Sequence, residues 1–302
     1  MKTRLFVFLF SLALVGSAQN GIAEKLGYPS DARMLIIHAD DLGVTHSENA
    51  ASIAAIENGS VNSASVMMPT PWVLEAAAYA NQHPETHDFG LHLVLSSEWK
   101  NYKWGPVSSV NAVPSLVDQH GYFHPDCIPD MNVAEVEREI KAQIDRAYAM
   151  GFEPTHLDSH MGCMFQTPEL IEVYFKMAQS YRLPMLVTRQ FPETLLKKYE
   201  IKAILEEVIM IEPEQYANGT EAYYVNAIKN LKPGLSIILL HAGFDNDELK
   251  AMATEHPDYG NEWRQRDFDF FTSDACRDLL KEENIKLVTW REIRDALYRK
   301  PQ

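Results

Sequence analysis

Cysteine is scarce in this 302-residue chain: Cys127, Cys163 and Cys276 are the only three, far apart and without a CxxC pair. So sparse and odd a set argues against a disulfide scaffold and a cysteine zinc site; one disulfide and three free thiols both stay open. Basic residues are few as well, 27 Lys and Arg against 42 Asp and Glu, for a formal charge of -15. No basic stripe is visible, so the chain is a poor nucleic-acid binder, because neutralising phosphates takes clustered Lys and Arg. Nor is there an apolar run of the roughly 20 residues that a membrane span needs. No repeat period, low-complexity tract or linker divides the chain. What is left is ordinary globular composition, 46% hydrophobic and 23% charged, and enough chain to bury a large core.

The start reads differently from the rest. Lys2 and Arg4 precede an apolar run from Leu5 to Val15, followed by Gly16, Ser17 and Ala18. This pattern predicts a secretory signal peptide over residues 1–18, leaving 19–302 as a single domain of an exported, periplasmic or extracellular protein. The alternative, a buried N-terminal helix, is disfavoured because the run has no amphipathic period. Loss of Lys2 and Arg4 with that segment takes the formal charge from -15 to -17. No Cys follows the small residues, so nothing points to a lipid anchor.

Beyond it, short apolar runs alternate with helical patterns. Strands are predicted at Met34–His38, Ser63–Met68, Phe89–Leu95, Thr155–His160, Met185–Thr188, Leu235–His241 and Ile285–Val288. Helices are predicted over Ser47–Asn58, Pro71–His83, a stripe of Val133, Val136, Ile140, Ile144 and Ala147, Pro168–Tyr181, Ser273–Glu283 and Trp290–Tyr298. Asn132 with Glu135 predicts a cap for the third of these. Residues 193–230 give a mixed pattern, and Ser96 to Asp130 form a long aromatic loop of the kind that is often functional. Strand and helix in alternation imply a parallel sheet, as a barrel or a doubly wound sheet. In both, active residues gather at the carboxyl ends of the strands.

Four apolar strands end in acid/base or ligand-type residues: His38-Ala39-Asp40-Asp41, Gly90-Leu91-His92, His156-Leu157-Asp158-Ser159-His160 and Leu239-Leu240-His241-Ala242-Gly243. Alternate strand residues share a face, which sets His156, Asp158 and His160 in one row. All four clusters fall at the same end of a parallel sheet, so a shared metal and acid/base site is expected. Imidazole and carboxylate without thiolate suit Zn²⁺ and similar divalent ions, and Mg²⁺ less well.

HADDLG, GLHLVL, THLDSH and LLHAGF, in this order, together with the stretch Arg264 to Leu280 containing Arg266, Asp267 and Thr272-Ser273, resemble the YdjC-like carbohydrate deacetylase family. The likeness spans about residues 34 to 290. It implies an α/β fold, a (β/α) barrel that is distorted or seven-stranded. It also implies a divalent metal, Zn or Mg, and removal of an acetyl group from an N-acetylated oligosaccharide. By the resemblance, Asp40 is the catalytic base, Asp41, His92 and His160 are the metal ligands, and His241 is the acid. Asp158 is expected beside the ligand histidines, orienting one of them. His156 is open between ligand, support for a ligand, and core residue. Arg189 is open between a substrate anchor and a surface salt bridge, and the aromatic loop between stacking on sugars and simple packing. No role is assigned to His38. The family more often has Asn at His38, Phe at Leu42 and Pro at Ala242. It often continues the DSH motif with further histidines, where Met161, Gly162, Cys163 and Met164 stand here. Competing readings are a phosphoesterase or cyclic amidase on the same barrel, and a carbohydrate-binding protein without catalysis.

Overall fold

The apolar runs become strands of one parallel sheet in a computed structural model that describes residues 20–128 and 130–299. The expected signal peptide lies outside the described residues. The strands are β1 (Arg33–Leu42), β2 (Ser63–Val66), β3 (Phe89–Leu93), β4 (Leu157–Ser159), β5 (Glu207–Ile209), β6 (Gly234–Leu240) and β7 (Lys286–Leu287). Their order is β4-β3-β2-β1-β6-β5, with β7 beside the start of β1 at Met34 and Leu35. Every pairing is parallel. β1 is central and buried almost throughout, so it reads as a nearly continuous apolar run rather than an alternation.

Backbone hydrogen bonds carry the sheet round from β4. Leu157 N donates to Pro184 O at 3.0 Å, Leu186 N to Leu157 O at 3.0 Å, Leu205 N to Val187 O at 2.8 Å and Glu206 N to Leu235 O at 2.7 Å. The result is a curled sheet, a distorted (β/α) barrel. The segment expected as a strand at Met185–Thr188 contributes only the isolated bridges Leu157–Met185 and Thr188–Leu205. β5 was not among the expected strands: it is three residues long, with Val208 exposed between the half-buried Glu207 and Ile209, inside the mixed stretch 193–230.

Alternation along the strands sorts the interior into layers. Met34 and Ile36 of β1, Leu235 and Ile237 of β6, Leu186, Leu205, Val288 and Trp290 form an apolar plug. The same period carries β1 on to His38 and Asp40, so the polar residues lie above the plug, at the carboxyl ends of the strands. Residues of the opposite parity, Leu35, Ile37 and Ala39, pack outward in the larger cluster with Ala51 and Ala55 of the helix His46–Asn58.

The helices Pro168–Tyr181 and Asp274–Glu282 match expectation closely. Asn132 caps the helix Val133–Ala149 through Ala134 N and Glu135 N, but Glu135 does not complete the capping box. Its carboxylate accepts instead from Ser115 N and Ser115 Oγ, both at 2.7 Å, and so pins the long loop. That loop holds two short 3₁₀ turns, Val110–Ala112 and Pro114–Leu116, and is tied down by a Cys127–Cys163 disulfide, while Cys276 is a buried free thiol. Among the described residues no helix is long and apolar enough to cross a membrane.

Candidate metal centre and active site

Neighbouring residues on a strand point to opposite faces, so two successive aspartates reach one cavity only if the backbone turns between them. It does so here: Asp41 has φ +62°, left-handed, and the β1–β2 register slips between Ala39 and Leu42. Asp is among the residues that tolerate this region. Gly43 follows at φ +99°, with its N–H on Asn49 Oδ1 at 2.6 Å. At the end of β4 a second turn, with Met161 at φ +51° and Gly162 at φ +66°, leads out of His160.

Three atoms from three places converge. Asp41 Oδ1 lies 3.2 Å from His160 Nδ1 and 3.4 Å from His92 Nε2, and the two ring nitrogens are 3.3 Å apart. The other nitrogen of each ring faces a carboxylate, His92 Nδ1 with Asp158 Oδ1 at 2.8 Å and His160 Nε2 with Glu98 Oε2 at 3.0 Å. An ionised carboxylate only accepts, so each imidazole keeps a proton on that outer nitrogen. The lone pairs then point inward, together with Asp41 Oδ1, which is buried without a hydrogen-bond partner. Donors about 2.0–2.2 Å from one ion stand roughly 3.0–3.5 Å from each other, which the three separations match. Carboxylates behind ligand histidines are the usual support of such a centre. The residues present therefore fit a divalent cation.

Without an ion these carboxylates favour charged imidazoles. Burial opposes charge on His92, but Asp158, Asp41 and Asp40 outweigh it and hold its pKa well above the usual value. On His160, burial is outweighed by Glu98 and Asp41, which lift the pKa to about 9. Burial also opposes ionisation of Asp41 and Asp158, yet His160 and His92 hold Asp41 low, and His92 and His38 hold Asp158 low.

Two more groups flank the triad. Asp40 Oδ1 is buried, without a hydrogen-bond partner, and 3.3 Å from His241 Nε2, while Asp40 Oδ2 is 3.9 Å from His92 Nε2. Burial keeps the His241 pKa below its usual value despite Asp40 and Asp41. The backbone N of His241 donates to Asp267 Oδ2 at 3.2 Å, and Tyr224 Oη donates to Asp267 Oδ1 at 2.9 Å.

The helix Asn261–Thr272 supplies both Asp267 and Arg264. Arg264 is 2% exposed. It binds Asp41 Oδ2 at 3.0 Å, Glu48 Oε1 at 2.6 Å and Tyr259 O at 2.8 Å, and lies over the Trp99 ring at 5.6 Å. Its guanidinium holds the left-handed aspartate in place and leaves Oδ1 to the triad.

Of the residues singled out from the sequence, Asp40, Asp41, His92, Asp158, His160 and His241 all line one cavity of ≈ 430 Å³. His156 lies below it, fully buried, stacked on Trp290 at 5.3 Å and edge-on to His38 at 5.0 Å. It is a core residue and takes no part in the triad. Arg189 is not brought to the site: it is exposed and pairs with Glu206 at 3.3 Å, the surface alternative. Of the long loop's aromatics, Trp104 is buried away from the cavity, Tyr122 lies on the surface, and Trp99 is buried but lines the cavity. Sequence reasoning missed Glu98, Glu48 and the role of Arg264. Glu98 sits in a loop with no pattern to read, and Arg264 lies on a helix whose buried face sets Arg264 and Asp267 among Trp263, Phe270 and Phe271.

Carboxylates and imidazoles gathered at the carboxyl ends of a parallel barrel define the chain as a barrel enzyme. The chain belongs to the YdjC-like family, whose description, YdjC-like protein, matches residues 34–282. A carbohydrate deacetylase from Thermus thermophilus is 32% identical over 92% of this chain and 99% of its own length. Another from Thermoanaerobacter pseudethanolicus is 28% identical over 85% of this chain and 98% of its own. A solved structure from Enterococcus faecalis V583, named for cellobiose-phosphate cleavage, superposes with a TM-score of 0.75 at 25% identity, covering 87% of this chain and 99% of that one.

Proposed function

We propose that this chain removes the acetyl group from the nitrogen of an N-acetylated carbohydrate, with a divalent ion held by Asp41, His92 and His160. The carrying observation is the convergence of Asp41 Oδ1, His92 Nε2 and His160 Nδ1 within 3.4 Å of one another, beside Asp40 and His241. The name shared by the full-length relatives, carbohydrate deacetylase, supports the reaction. Two imidazoles and one carboxylate favour Zn²⁺ over Mg²⁺.

A bound ion supplies polarisation of the acyl oxygen and a lowered pKa for water at the site. The chain's own groups do the remaining work. Asp40 accepts the proton of the attacking water on an oxygen that has no hydrogen-bond donor of its own. Hydroxide adds to the carbonyl carbon and the C–N bond breaks. The nitrogen takes a proton from His241 Nε2, 3.3 Å from Asp40 Oδ1. Acetate and a free amine result. Asp267 fixes the backbone of His241, and Asp158 and Glu98 keep both ligand rings in the metal-binding tautomer.

A phosphoester substrate fits less well. Among the described residues Arg264 is the only Lys or Arg lining the cavity, and it is committed to Asp41, Glu48 and Tyr259 O. Beside the metal ion, a phosphate would meet Asp40 and Asp41 with no free Lys or Arg to offset them. Incubation with a panel of N-acetylated chitooligosaccharides and sugar phosphates decides between these readings. Acetate release is expected, about 10²–10⁴-fold slower in Asp40→Asn with its metal content unchanged. Phosphate release without acetate, or full activity in Asp40→Asn, would contradict the proposal.

We further propose export to the periplasm or the extracellular space. The charged-then-apolar start at Lys2, Arg4 and Leu5–Val15 supports it, as does the disulfide, which persists in oxidising compartments.

A further inference from the structure

His38 is fully buried on β1, two residues before Asp40, and the reaction described above makes no use of it. Its contacts give it a task. Nδ1 lies 2.9 Å from Ser63 Oγ. Nε2 lies 2.9 Å from Asp158 Oδ2 and 3.0 Å from Ser65 Oγ. Ser65 Oγ donates to that same carboxylate oxygen at 2.8 Å. The other oxygen, Oδ1, is the one that accepts from His92 Nδ1 at 2.8 Å.

We propose that His38 is a positioning residue of the metal centre: acting through Asp158, it fixes the aim and tautomer of the ligand His92. The inference depends on the metal reading above. Asp158 accepts only, so the His38 Nε2 proton points at it, and Ser63 Oγ–H serves Nδ1. Two donors on Oδ2 hold the carboxylate plane. Oδ1 then faces His92 alone, which keeps the His92 proton on Nδ1 and its Nε2 lone pair on the triad. The register of the sheet builds this row, pairing His38 with Ser63 and His92 with Asp158. Interior burial keeps water from substituting for either donor. A residue that merely filled the space would be replaceable by an apolar side chain of similar size, with loss of stability and no change in the metal.

Zn²⁺ affinity by chelator competition and the visible spectrum of the Co²⁺-loaded protein, in His38→Leu and His38→Gln, test the proposal. His38→Leu should weaken Zn²⁺ binding by about tenfold or more and alter the Co²⁺ bands, the loss typical of an outer partner of a ligand histidine. His38→Gln retains a long donor and should recover affinity to within roughly threefold of wild type. In an Asp158→Asn background, His38→Leu should cost nothing further, because its effect runs through that carboxylate. Wild-type affinity and spectrum in His38→Leu overturn the proposal, and so does full additivity with Asp158→Asn. If His38→Leu does not fold, Ser65→Ala, which removes the other donor to the same oxygen, must weaken binding severalfold; unchanged affinity there overturns the proposal too. A wild-type protein that binds no divalent ion removes the metal reading and this inference together, whereas failure of the variants alone removes only this inference.

Discussion

Asp41 shows how much of the site depends on a single dihedral. With extended backbone it would point away from Asp40, and the triad would lose its carboxylate. Its φ of +62° is held by Arg264 on Oδ2. Residue identities at the strand ends were legible because few residue types bind metals and all four clusters fell at one end of the sheet. Their supports were not. Glu98 and Arg264 come from a patternless loop and a helix whose buried face mixes charged and aromatic residues, and only folding brings them within 3.0 Å of His160 and Asp41. The raised pKa values of His92 and His160 make a prediction at this scale. The surrounding carboxylates raise the proton affinity of both rings, which must be neutral to bind an ion, so metal affinity falls as pH falls and binding releases protons. Calorimetric titration with Zn²⁺ near neutral pH, in two buffers of different ionisation enthalpy, should report release of about one to two protons per ion. A value of zero would show that the rings are already neutral and the charge balance described here is wrong.

At the scale of the element, β3 illustrates packing that no local pattern reveals. Gly90 faces the interior two residues before His92, and a Cβ placed on it would lie 2.5 Å from both ring nitrogens of His156. The glycine is there to admit a buried imidazole, which explains His156 without giving it a ligand role. Gly90→Ala must therefore displace either the ring or the strand. Overpacking of this kind costs about 1–3 kcal/mol. Urea denaturation should show that loss, with weaker Zn²⁺ binding because His92 moves with β3. Unchanged stability would mean that the interior is looser than the geometry indicates. Strand and helix positions were largely readable where burial is one-sided or continuous, as in β1 and the helix Pro168–Tyr181. They failed for β5, which is short and only partly buried, and for the helix Asn261–Thr272, where charged Arg264 and Asp267 interrupt the buried aromatic face.

For the whole molecule, parallel topology was legible from the alternation of strand and helix, but the closure was not. It depends on a few backbone hydrogen bonds at residues 184–188, where a strand was expected and only isolated bridges form, and at 205–206. The cysteines show the same limit: spacing left their pairing open, and folding joins Cys127 to Cys163 across 36 residues, next to the turn that follows His160. If the chain is exported as proposed, the mature protein begins after Ala18 and, denatured, shows one free thiol, Cys276. N-terminal sequencing with thiol titration checks both. An intact Met1 with three free thiols would place the protein in a reducing compartment.

The central claim is that one divalent ion between Asp41, His92 and His160 drives acetyl removal. Acetate release from an N-acetylated chitooligosaccharide, followed as Zn²⁺ is added back to chelator-stripped protein, tests it most directly. Activity should be absent at the start, rise linearly and level off at one equivalent, and His160→Ala should not recover at that ratio. Undiminished acetate release from protein shown by elemental analysis to hold no metal would contradict the account.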